Sequence, residues 1–97
     1  MKDMYYNKKG KPITLEEWGK LHNNPKYKRI RETTLSNGKW VSTVWLGINH
    51  SFQENYVLIF ETMVFSTKDS LEDLDCERYF TEEEAIEGYE KMCKKWE

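Results

Sequence analysis

Glu61 stands inside the apolar run LIFETMVF (residues 58–65), next to Phe60 and close to Met63 and Val64, where an unpaired carboxylate would be costly to bury. Three arrangements satisfy that constraint. The side chain lies on the open face of a one-sided sheet, or it pairs with a cation such as Arg31 or Arg78, or it serves a ligand. Glu32, His22 and His50 are the other ionisable groups that could converge with it on a pocket, and the two histidines are the only ones in the chain. His50 follows Gly47 at the end of VSTVWLGINH, so it reads as a turn residue or as a ligand contact; acid–base chemistry with Glu61 would require the two side chains to lie within one water of each other.

Other chemistries find less support. Neither HExxH nor a Cys/His cluster is present, and Cys76 and Cys93 match no ligand spacing, so no metal or other cofactor is implied. No Ser or Cys stands in a GxSxG-like context, and Gly38, Gly47 and Gly88 are too isolated to build a phosphate loop. PKYKRIR (residues 25–31) interleaves Lys26, Lys28, Arg29 and Arg31 with Tyr27, the pattern of a nucleic-acid contact and equally of a solvated strand edge. From Asp69 to Glu84 the chain holds eight acids against Arg78, which would imitate a phosphate backbone or simply form an acidic loop and helix start. Residues 1–50 hold ten Lys/Arg against four Asp/Glu and residues 51–97 five against thirteen, so a net charge of -2 conceals halves of +6 and -8.

The elements that must position these groups are legible from caps and periodicity. MYYNKKGKPI suggests a short hairpin or extended arm. Thr14 and Glu17 have capping-box spacing, and Ile13 and Trp18 that of a hydrophobic staple, so a helix should run from Leu15 to about His22 and stop at Asn23-Asn24-Pro25. Residues 27–35 and 40–46 read as strands joined by Asn37-Gly38 in a two-residue type I′ turn. That register pairs Glu32 with Thr43 and Thr33 with Ser42, placing Ile30, Glu32, Val41, Thr43 and Trp45 on one face and Arg31, Thr33, Ser42, Val44 and Leu46 on the other. Residues 56–66 make a central strand, a helical turn is compatible with the region of Leu71, and CERYF is long enough for a short strand. Thr81 and Glu84 repeat the capping box, and Ala85, Ile86, Tyr89, Met92, Cys93 and Trp96 form one apolar stripe that must pack on the sheet.

Ninety-seven residues allow one domain, and four tryptophans in a 14% aromatic composition supply large core side chains. No apolar run is long enough to span a bilayer, and the charged start and sparse cysteines predict a cytoplasmic protein with reduced thiols. The expected fold is a single α+β domain over residues 1–97: a mainly antiparallel sheet of three or four strands, with a short N-terminal helix and a longer C-terminal helix packed on it. An apolar sheet face left uncovered would favour a homodimer.

The blocks VSTVWLGINHSF, LIFETMVF and RYFTEEEAIEGYEKM, together with the opening YYNKKGKPITLEEW, resemble a family of small proteins encoded by bacteriophages and prophages. The resemblance covers nearly the whole chain and implies a phage or prophage origin without implying an activity. Residues within its blocks include Thr43, Trp45, His50, Phe52, Glu61 and Arg78; with Arg31 these form the candidate ligand-binding set. This chain has Gly88-Tyr89 where similar sequences often have Gly-His, which removes one histidine from any acid–base or metal scheme. The expected function is a non-enzymatic accessory module that binds a host protein or a nucleotide-like signal in the host cytoplasm, blunting an antiviral defence. Trp45 and Phe52 would give stacking or apolar contact, His50 and Arg31 would favour an anion, and Glu61 would accept hydrogen bonds. The rivals are a small enzyme using His50 and Glu61 as acid and base, and a phage structural or assembly protein.

Overall fold

The computed structural model describes residues 4–49 and 57–97. In chain order these form α1 (Leu15–His22), α2 (Pro25–Lys28), β1 (Arg29–Thr34), β2 (Trp40–Trp45), β3 (Phe60–Phe65), β4 (Asp73–Tyr79) and α3 (Glu82–Trp96). The strands make an antiparallel α+β meander in the order β1-β2-β3-β4, and α3 lies across one face, in contact with all four. Both longer helices start where their capping boxes predict: the Thr14 hydroxyl accepts from Glu17 N–H and the Thr81 hydroxyl from Glu84 N–H, each at 3.1 Å.

PKYKRIR divides differently from the expected strand. Asn24 Oδ1 accepts from Lys26 N–H and Tyr27 N–H, and Pro25 opens the helix, so Asn24-Pro25 both ends α1 and starts the single turn of α2. The N-terminal arm folds back at Gly10 (φ 79°), bridges Tyr6 to Pro12, and docks through Tyr6 N–H on Gly47 O at 2.8 Å. Around Leu71, which is 97% exposed, the chain bends without making a helical turn, and β4 extends the expected CERYF strand back to Asp73.

The hairpin between β1 and β2 corrects the expected turn. Leu35 N–H donates to Lys39 O at 2.7 Å across a three-residue loop, and only Gly38 (φ 89°) has positive φ. A type I′ turn needs positive φ at both central residues, whereas Asn37 keeps negative φ with its side chain accepting from Lys39 N–H and donating to Trp96 O. One extra loop residue moves the register by one, so Glu32 pairs with Ser42 and Thr33 with Val41. A one-residue slip exchanges faces. Glu32 therefore leaves the α3 side, Arg31 and Thr33 join it, and an irregularity between Arg29 and Arg31 lets Ile30 bury against the core.

The core has two parts under α3. Ile30, Trp45, Ile59, Phe60, Tyr79 and Ala85 form one, to which the arm, α1 and α2 add Tyr6, Ile13, Trp18, Leu21 and Tyr27. Val41, Val64 and Met92 form the other, with Leu35, Tyr89, Cys93 and Trp96 around them. The expected stripe on α3 is thus the packed one.

Candidate functional site

Period-two alternation on paired strands separates the candidate residues. Thr43 and Trp45 point under α3 and are fully buried; the Thr43 and Thr62 hydroxyls share a 2.6 Å hydrogen bond, and Trp45 Nε1 donates to Tyr6 O at 3.0 Å while its ring meets Tyr27 edge-on. Trp45 is a core residue, with no surface on which a ligand could stack. Arg31 sits at the exposed edge of β1, its Nη1 donating to Ile30 O at 2.8 Å. His50 and Phe52 lie outside the described residues.

Glu61 belongs to the opposite face. Val44, Glu61 and Arg78 stand in one cross-strand row, and Ser42, Met63 and Cys76 in the next. Glu61 is only 8% exposed, and its Oε2 accepts from Arg78 Nε at 3.0 Å and from the Cys76 thiol at 3.6 Å. Two of the arrangements open to this carboxylate coincide: it lies on the sheet face opposite α3, and Arg78, on the neighbouring strand, pairs with it.

Burial, then the Glu61 charge, push the Cys76 thiol up to about 11. The protonated thiol is a weak nucleophile. Iodoacetamide at neutral pH should therefore label Cys76 in the folded protein far more slowly than in the urea-unfolded chain, as followed by mass spectrometry. Burial also raises Cys93, Tyr79 and Tyr89. Because the unfolded chain gives up these protons first, stability should be intact below pH 9 and fall as the pH rises toward 11; a denaturation midpoint that stays constant across that interval would contradict the burial of these groups.

Toward β1 the same face opens into a groove of about 340 Å³ lined by His22, Pro25, Lys28, Arg29, Glu32, Trp40, Ser42 and Val44. Arg29 Nε pairs with Glu32 Oε2 at 2.9 Å, and Trp40 stacks on Phe65, on the β3 side, at 5.3 Å between ring centres. Burial and the nearby Lys28 charge lower the His22 pKa, which favours the neutral imidazole. A second groove, of about 450 Å³, follows the β1 edge past Pro25, Lys26, Arg29, Ile30, Arg31 and Glu32.

Lys28 and Arg29 belong to the PKYKRIR pattern singled out in the sequence, whereas Trp40 and Ser42 are the site residues that the sequence reading missed. Strand parity could have found them, because once Glu61 faces away from α3, its cross-strand neighbour Val44, and with it Ser42 and Trp40, must face away too, while Trp45 must face in.

Among the described residues, no three His, Cys, Asp or Glu side chains converge as metal ligands, and no helix is long and apolar enough to cross a membrane. Comparison with protein-family models, curated proteins and solved structures gave no match.

Proposed function

We propose that this protein is a non-enzymatic binding module of phage or prophage origin, working through the sheet face opposite α3 on a host protein or a nucleotide-like signal and so blunting a host defence. The observation that carries this reading is the composition of that face. It presents an aromatic pair, a hydroxyl and cationic side chains around an open groove, beside a Glu61–Arg78 pair that is fixed in place. Concave surfaces with a few convergent polar groups and an apolar wall are where small ligands and peptide segments are held. The phage context rests on the sequence resemblance; the binding role rests on the face.

The test couples a thermal-shift panel of nucleotides with capture from host lysate, using the wild type and a Trp40→Ala variant in parallel. A saturable shift, or a captured protein, that is lost in the variant supports the module. Absence of any ligand or partner that depends on Trp40 removes it.

A further inference from the structure

Sheet order turns the charge asymmetry of the sequence into a spatial one. The basic segment 25–31 ends in β1 at one edge, and Asp73, Asp75 and Glu77 lie on β4 at the other, about 14 Å away at the usual strand spacing. On the basic side, Lys26, Lys28 and Arg31 form no ion pair with a described carboxylate, and Glu32, the one acid among the described residues that line the two grooves, is held by Arg29. The two grooves meet at Arg29, Pro25 and Glu32. One continues over the sheet face to Trp40 and Ser42, and the other wraps around the edge to Arg31.

This continuity matters because Arg29 and Arg31 belong to different faces of β1, separated by the irregularity at Ile30, yet line one groove. A ligand filling both grooves must be elongated and must turn over the strand edge. It must be anionic along its length, where it meets Lys26, Lys28, Arg29 and Arg31, and planar at the end that reaches Trp40. Phe65 backs that indole on the β3 side and holds it toward the groove. A cationic track that ends on an aromatic platform is the recognition chemistry of an unpaired polynucleotide, in which bases are free to stack. Duplex would present its phosphates without a base for Trp40.

We propose that the two grooves form one binding track for single-stranded nucleic acid, its phosphates on Lys26, Lys28, Arg29 and Arg31 and one base against Trp40. The proposal rests on the reading of the open face as the working surface and names its ligand. Ser42, at the floor of the groove, supplies a hydroxyl for the sugar or base edge. The track is sequence-tolerant, since every base has a face to stack.

Fluorescence polarisation with a labelled oligothymidylate tests this, with a duplex of equal length, a free nucleotide and pyrophosphate as competitors. The expected result is binding that weakens with salt, at a log–log slope of roughly -2 to -3 for three or four phosphate contacts. The strand should outcompete duplex, nucleotide and pyrophosphate. Trp40→Ala should weaken it about tenfold. Arg31→Glu, at an exposed position away from the Trp40–Phe65 stack, should also weaken it and reduce the slope by about 0.7, with the circular dichroism spectrum unchanged. Equal affinity for duplex, or indifference to Arg31→Glu, overturns the strand track. If oligothymidylate fails while a free nucleotide or a captured protein still depends on Trp40, this inference is lost and the binding module stands; if nothing depends on Trp40, both are lost.

Discussion

A Gly88→Ala variant should be destabilised by about 3 kcal/mol or fail to fold, although alanine at an ordinary position inside a helix gains about 1 kcal/mol over glycine. The reason is the Tyr79 ring. Gly88 is buried on the sheet-facing side of α3, and a methyl group there would overlap the phenol oxygen and two of its ring carbons. Tyr79 is 7% exposed in the core, and its hydroxyl is buried with the Thr62 hydroxyl close by but without completing a hydrogen bond. Either the buried Tyr79 ring or the backbone of α3 has to shift to admit the methyl group. Urea denaturation of Gly88→Ala, alone and with Tyr79→Phe, checks the assignment: Tyr79→Phe removes the deepest overlap and an unsatisfied hydroxyl, so it should be nearly neutral alone and recover part of the loss in the double variant. A Gly88→Ala protein as stable as the wild type would mean that α3 does not pack on β4 as described.

The same helix shows what sequence can and cannot specify. Its start was readable because a capping box is local, four residues long and tied to one geometry. Its glycine was not, because the need for Gly88 arises from a ring contributed by another element. The strands behaved likewise: β2 and β3 could be placed from their β-branched and aromatic content, but which β1 residues share their faces depended on a single loop residue between Leu35 and Lys39. Asn37-Gly38 is compatible with more than one turn, and the choice was made by contacts beyond the hairpin, including the Asn37 hydrogen bond to Trp96 O. The faces of β2 do not depend on that loop: Trp45 was an attractive ligand contact and Trp40 an overlooked one because nothing in β2 itself says which of its two faces α3 covers. Glu61 was different. Its anomaly is visible in one strand, so the need for compensation could be stated in advance, with Arg31 and Arg78 as alternatives; only the order β3-β4 could choose between them.

Arg78→Ala should lower stability by about 2 kcal/mol, more than an exposed ion pair is worth and less than the break of a fully buried one. The intermediate value follows from the asymmetry of the pair: the Glu61 side chain is 10% exposed and that of Arg78 42%. Removing the arginine leaves a nearly enclosed carboxylate with only the Cys76 thiol as a described hydrogen-bond donor. Removing both charges leaves nothing stranded, so Glu61→Met with Arg78→Met should be close to neutral, and a double-mutant cycle should return a coupling of about 1–2 kcal/mol. Cys76 supplies a readout separate from stability. The Arg78 charge holds the thiol down and the Glu61 charge pushes it up. Iodoacetamide labelling of folded protein should accordingly be slower in Arg78→Ala, where the opposing carboxylate acts alone, and faster in Glu61→Gln. Equal labelling rates in the two variants, or an additive cycle, would mean that the three side chains do not share one site, and the open face would lose the fixed pair beside its groove.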